Sequence, residues 1–217
     1  KKKIKKGKID FKESFRRRVG LLKGLPEKTL YDVLENIELN PGATKLVKTL
    51  QYFGYKVGII SGGFQYVGNW LQDHLGIDYV YANALEFQDG YSTGKPLGEI
   101  VDGQRKADLL REIAEKEGVT LQQSIAGGEG ANDLEMLNLS GLGVAYHAKP
   151  SVKASADHAI SNFGLDAILY LIGFSDRDIT KYYKNYKDFS GSTSLNEKLK
   201  KTCYNYKPDL IIMGHSD

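Results

Sequence analysis

The chain is expected to fold as an α/β protein, a parallel sheet with helices on both faces, preceded by part of a helical cap. Three observations lead there. Short apolar runs of strand type, at residues 55–60, 79–82, 124–126, 143–146 and 158–160, alternate with amphipathic helical stretches. That alternation belongs to a parallel sheet covered on both faces. Two of the runs lead into glycine clusters, Ser61-Gly62-Gly63 and Gly127-Gly128-Glu129-Gly130, at strand carboxyl ends, where such sheets gather their ligands. Residues 1–38 lack strand periodicity and read as helices. The 217 residues suffice for one α/β domain with a sizeable core and a small accessory piece.

Taken in order, Phe11, Phe15, Val19 and Leu22 recur at helical spacing, with Arg16, Arg17 and Arg18 partly on the opposite face. Gly24-Leu25-Pro26 breaks that helix and residues 29–34 resume it. Asn40-Pro41-Gly42 is a turn, and residues 43–53 form another amphipathic helix. The strand at 55–60 passes through the Ser61 turn into a helix reaching Leu71. After the strand at 79–82, Asp89-Gly90 carries the dipeptide of a tight hairpin. Residues 106–117 are helical, followed by the strand at 124–126, its glycine turn and another helix. Residues 152–156 and 165–174 read as short and closing helices. From Ser175 the character changes to an exposed helix at 181–188, a Ser/Gly linker at 190–194 and a helix at 195–203. The apolar run at 210–213 reads as a strand. The expected division is a partial helical cap at 1–38, a core at 39–174, and a linker with the start of an unidentified unit at 175–217.

Composition excludes several function classes. Thirty Lys+Arg against 27 Asp+Glu leave a net charge of only +3. The lysines at positions 1, 2, 3, 5, 6 and 8 read first as a solvated helix face or tail, ahead of a nucleic-acid contact. A single cysteine, Cys203, permits no internal disulfide and fits a reducing, cytoplasmic compartment. No apolar run is long enough to span a membrane. The expected partner is therefore a small molecule, neither nucleic acid nor membrane, and the oligomeric state is left open.

The chemistry concentrates around the two glycine turns. Ser61 offers a hydroxyl and Gly62 an unhindered backbone N–H, a match for phosphate oxygens. Lys106 opens a helix with a compact positive charge suited to a phosphoryl group. Glu129, Asn132 and Asp133 set two carboxylates and an amide at the mouth of the second turn, oxygen donors suited to a hard cation such as Mg²⁺. The same Asn132 and Asp133 serve equally well as capping residues, and the residues of this stretch leave both roles open.

These pieces, together with Gly7-Lys-Ile-Asp-Phe11, Arg16-Arg-Arg-Val19, Val57-Gly-Ile-Ile-Ser-Gly-Gly-Phe64, Asp89-Gly-Tyr-Ser-Thr-Gly94, Gly130-Ala-Asn-Asp133 and Ala148-Lys-Pro150, resemble the haloacid dehalogenase superfamily and, within it, the phosphoserine phosphatase family. The resemblance runs from about Gly7 to Phe174. It implies a Rossmann-like core, Mg²⁺ dependence and hydrolysis of a small phosphorylated metabolite, O-phospho-L-serine, through an aspartyl-phosphate. It implies that Ser61 and Gly62 bind phosphate with Asn132 nearby, and that Lys106 steadies the phosphoryl oxygens. Glu129 and Asp133 would attend the metal. Phe11 and Arg18 would close over the substrate, Arg18 gripping the serine carboxylate bidentately.

Three departures from the family pattern stand out. The first motif, an apolar strand ending in Asp-x-Asp-x-Thr that carries the nucleophile, does not precede the cap residues. Since that strand is the central one of the family's sheet, the chain is expected to expose two unpaired edges and to fold poorly alone. Glu129 stands where the family has Asp, and Gly127 where it has a branched strand residue, which weakens the strand. Asp176-Arg-Asp-Ile-Thr180 formally fits the first motif, as in a circular permutant, although the family closes its core with a helix there. The favoured reading is a phosphoserine phosphatase-like hydrolase without its nucleophile, the chain alone being inactive. The alternative is a catalytically inactive phosphate-binding or regulatory remnant.

Overall fold

Seven strands form one sheet in the order β3-β2-β1-β7-β4-β5-β6 in a computed structural model that describes residues 11–181 and 210–215. The strands are β1 (Lys56–Phe64), β2 (Tyr79–Gln88), β3 (Tyr91–Leu97), β4 (Ser124–Gly128), β5 (Leu142–Tyr146), β6 (His158–Ile160) and β7 (Leu210–His215). All neighbours are parallel except β2 and β3, an antiparallel hairpin. Its turn is at Asp89 and Gly90, both at positive φ (52° and 80°), the backbone demanded by a two-residue hairpin turn matching strand twist.

Strand alternation sorts the core into two layers. Val57, Ile125, Val144 and Tyr146 pack on one face with Leu46, Val47 and Leu50 of α3 (Ala43–Tyr52), Leu75 of α4 (Gln65–Leu75), and Ile168 and Leu169 of α8 (Ala167–Leu171). Ile60, Ala126 and Ala145 face the other way. They meet Leu109, Leu110 and Ile113 of α5 (Gly103–Glu117), Met136 and Leu137 of α6 (Leu134–Leu139), and Val152 of α7 (Pro150–Lys153). This is the expected sheet with helices on both faces. The closing helix is shorter than its apolar run implied, because the chain turns through Gly173 at φ 92°.

The cap comprises α1 (Phe11–Gly20) and α2 (Lys28–Leu34). Phe15 and Val19 are buried against Leu85 and Ile100. The turn between the two helices is pinned to the hairpin: Gly24 N–H donates to Ser92 O (2.8 Å), Ser92 N–H to Leu25 O (2.9 Å) and Glu27 N–H to Gly90 O (2.9 Å). Tyr66 Oη of α4 also donates to Glu27 (2.5 Å) and meets the Tyr31 ring edge-on.

The sheet differs from the sequence expectation at its centre. β7 does not begin a separate unit. It lies between β1 and β4, pairing Lys56 through Ser61 with Leu210 through His215, and Ser124 through Gly127 with Leu210 through Met213. The two edges expected to be open are therefore paired, and Gly127 is held on both sides, by Met213 and Val144. An apolar, β-branched run is complementary to a fully buried parallel position whatever its place in the chain. Asp176 and Asp178, by contrast, are not at a strand end. Residues 176–181 are helical, and Asp178 accepts from Ser175 N–H (2.9 Å) and Oγ (2.6 Å) at the start of that turn. The lysine run at 1–8, most of the expected helix at 181–188, the linker at 190–194, and the helix at 195–203 with Cys203 lie outside the described residues. No helix among the described residues is long and apolar enough to cross a membrane.

Candidate active site

Ser61 lies in the carboxyl-terminal half of β1, largely buried, and its Oγ accepts from Gly63 N–H (3.0 Å). The turn expected at Ser61-Gly62-Gly63 is instead strand, continuing to Phe64 across a register shift against β2. Asn83 of β2 braces this segment: its Nδ2 donates to Gly62 O (2.7 Å) while its Oδ1 accepts from Val101 N–H (2.8 Å). One buried amide thus fixes the distance between the end of β1 and the start of α5. Sequence reasoning passed over Asn83; the signal available was a polar residue flanked by apolar ones, from Tyr79 to Leu85, in the first part of the strand.

Asp102 caps α5, accepting Arg105 N–H at 2.9 Å. One turn in, Lys106 is fully buried, its ammonium 2.7 Å from Asp133 Oδ1. Asp133 Oδ2 accepts from Glu129 N–H (3.0 Å) and Gly130 N–H (2.9 Å). The aspartate therefore does not cap α6, where its side chain makes no cap bond. It turns back and closes the glycine loop after β4. A β-carbon on Gly128 would lie 2.5 Å from Asp133 Cβ, so only glycine permits the carboxylate to approach this closely.

Asn132 completes the floor. Its Nδ2 lies 3.5 Å from the position a β-carbon on Gly62 would take, and Gly103 abuts its carbonyl at 3.2 Å from the corresponding position. The Asn132 Nδ2 is buried with no hydrogen-bond partner among the described residues. An orphaned buried donor is costly unless a ligand satisfies it. The structure thus brings Ser61, Gly62, Asn132, Asp133 and Lys106 into one floor.

The cap supplies the roof. Phe11 Cζ stands 3.2 Å from the site of a Gly62 β-carbon, and the Phe11 and Phe15 rings stack at 6.3 Å. Phe11, Phe15 and Arg18 are spaced to share one helix face. Arg18 is exposed, with its guanidinium 5.9 Å from the centre of the Phe15 ring. Beside the floor opens a cavity of about 480 Å³ that includes Ser61, Gly63, Gly128 and Glu129, with Leu46, Val57 and Leu71 along its apolar wall.

Glu129 is half-buried on that cavity. No cluster of three or more His, Cys, Asp or Glu occurs among the described residues. Mg²⁺ typically takes one or two carboxylates and completes its shell with substrate phosphate and water, and Glu129 with Asp133 offers such a donor set. Asp133 already accepts three hydrogen bonds, from Lys106, Glu129 N–H and Gly130 N–H.

A model of haloacid dehalogenase-like hydrolases matches residues 4–138, more than half the chain. The phosphoserine phosphatase of Lactococcus lactis is 45% identical over 166 residues, covering 76% of this chain and 77% of that protein. The chain belongs to this phosphoserine phosphatase family of haloacid dehalogenase-like hydrolases. The Streptomyces coelicolor phosphoserine phosphatase is 47% identical over 174 residues, 80% of this chain but 42% of that protein. The chain spans about half the length of several curated relatives it matches. Among solved family structures, a probable phosphoserine phosphatase from Vibrio cholerae superposes with TM-score 0.73 at 42% identity, covering 82% of this chain and 54% of that one. A substrate-bound phosphoserine phosphatase complex superposes with TM-score 0.72 at 39% identity, over 76% and 79% of the two chains.

Proposed function

We propose that this chain is a phosphoserine phosphatase-like hydrolase, its substrate a small phosphomonoester, O-phospho-L-serine, and its products L-serine and phosphate in cytoplasmic serine biosynthesis, with a nucleophile that the described residues do not supply. The observation that carries the phosphate site is the orphaned Asn132 Nδ2, close beside Gly62 on a floor that also holds Lys106 and Ser61. A phosphate oxygen would satisfy that donor. The Gly62 N–H and Ser61 hydroxyl would hold the other phosphate oxygens, and Lys106 would offset the phosphoryl charge. Phe11 would cover the site against water, and Arg18 would take the substrate carboxylate. Mg²⁺, held by Glu129 with Asp133 behind it, would supply charge neutralisation of the phosphoryl group. No Asp-x-Asp-x-Thr ends a described strand, so the nucleophilic step is assigned to no residue here.

Phosphate release from O-phosphoserine, measured with and without Mg²⁺ and with a chelator, tests the reading. Metal-dependent release abolished by the chelator supports it, and absence of both turnover and phosphate binding rejects it. A second reading, a phosphate-binding or regulatory module without turnover, is favoured by Glu129 in place of the family's Asp and by Gly214-His215 at the carboxyl end of the central strand. Phosphate binding without hydrolysis, unrepaired by Glu129→Asp, would select it.

A further inference from the structure

The cap and the phosphate floor meet at one ion pair that none of the expected roles uses. Lys12 Nζ of α1 lies 3.1 Å from Asp102 Oδ2, with the two side chains 35% and 19% exposed. Asp102 has a second task, because its other oxygen caps α5, the helix that carries Lys106. Its backbone carbonyl also accepts Lys106 N–H at 2.9 Å. The chain on either side of it touches the floor: Val101 O is 3.8 Å from the site of a Gly62 β-carbon, and Gly103 abuts Asn132.

The two ends of α1 are held differently. Its carboxyl end runs into the turn hydrogen-bonded to the β2–β3 hairpin, and its middle is buried through Phe15 and Val19. The first turn carries Phe11 over Gly62, and the Lys12–Asp102 pair is the ion pair that ties this turn to the core among the described residues. Electrostatics then link seating to phosphate. An unscreened Asp102 carboxylate beside the floor would repel an incoming phosphate dianion, and Lys12 cancels that charge only while the first turn is seated.

We infer that Lys12 and Asp102 form a latch that seats the first turn of α1 on the phosphate floor, so that cap seating and phosphate binding strengthen each other. Lys12 is thus a positioning residue, acting through Asp102 and Phe11. The binding half of the inference rests on the phosphate-site reading above; the seating half does not.

The test combines hydrogen exchange of the α1 amides with calorimetric binding of inorganic phosphate. Lys12→Gln is expected to raise exchange in the first turn by about 3- to 5-fold, the range open to a half-exposed pair, and to weaken phosphate binding by a similar factor. Lys12→Arg restores both. Asp102→Asn, which keeps the capping oxygen but removes the charge, reproduces the faster exchange without the repulsion of phosphate, and the first turn of the Lys12→Gln/Asp102→Asn double variant exchanges no faster than in either single one. High salt should erase the difference between native protein and Lys12→Gln. Unchanged α1 exchange in Lys12→Gln overturns the latch, and so does additivity in the double variant. If no variant binds phosphate, the functional reading and its coupling fall together, while the exchange data still decide the seating.

Discussion

The floor and the roof of this site are built on opposite principles. Lys106 and Asp133 are completely buried, and the floor is braced between elements: Lys106 is held by Asp133, Gly62 by Asn83, and the loop at Glu129 and Gly130 by the Asp133 carboxylate. The roof residues Phe11 and Lys12 are only half-buried and Arg18 is exposed. The difference assigns tasks. Charge complementarity to a phosphoryl group needs donors already locked in place, whereas recognition of the rest of a substrate must allow entry and exit. Changes to the floor should cost stability along with binding, and changes to the roof should cost binding or selectivity with little global stability.

The largest expected effect is on the floor. Lys106→Ala leaves the buried Asp133 carboxylate without its cation and should lower unfolding free energy by about 3–5 kcal/mol, with loss of phosphate binding. Denaturant titration and calorimetry measure the two losses, and a stable variant that still binds phosphate would contradict the division. Asn83→Ala strands Gly62 O and Val101 N–H, each worth about 1–3 kcal/mol when buried unpaired. Its thermal midpoint should fall, although Asn83 is a strand residue that reaches the floor only through Gly62 O.

Roof changes should separate selectivity from stability. Arg18→Met is expected to raise KM for O-phosphoserine by about 10- to 100-fold, the equivalent of losing a charge-assisted hydrogen-bonded pair. A phosphoester without a carboxylate should be unaffected, and so should the melting temperature. Equal losses on both substrates would remove Arg18 from carboxylate recognition.

The smallest effect concerns the seam between cap and core in strong alkali. Burial, reinforced by the hydrogen bond to Glu27, pushes the Tyr66 hydroxyl well above its usual value near 10. Burial and the bond to Glu117 push Tyr79 up to about 12. In this range the unfolded chain loses the tyrosine proton first, so the folded state binds more protons and stability falls as pH rises. The contribution is complete below pH of about 10 and lost as pH climbs through about 12 for Tyr79, and higher for Tyr66. Tyr66→Phe should flatten the alkaline limb of a stability–pH curve recorded by urea titration, and an unaltered limb would show that this seam carries none of it.

Much of this was legible in the sequence because it is local. The strand runs, the Asp89-Gly90 turn, the glycine loop after β4, and the stripe of Phe11, Phe15 and Arg18 all follow from residue type and spacing within a few positions. The candidate residues of the floor were legible for the same reason, since Ser61, Lys106 and the 129–133 stretch each sit near the end or start of one element.

What the tertiary structure alone decided are pairings between distant residues. Local periodicity showed that residues 210–213 want to be a strand, but not that this strand fills the centre of the sheet rather than founding a new unit. Parallel pairing carries no turn signal to fix a strand's neighbours. That Asp133 does not cap α6 emerged only when Lys106, 27 positions away, came within 2.7 Å of it. Asn83 and the Lys12–Asp102 pair were invisible for that reason as well. A polar side chain announces that it needs a partner, and only the folded chain supplies one.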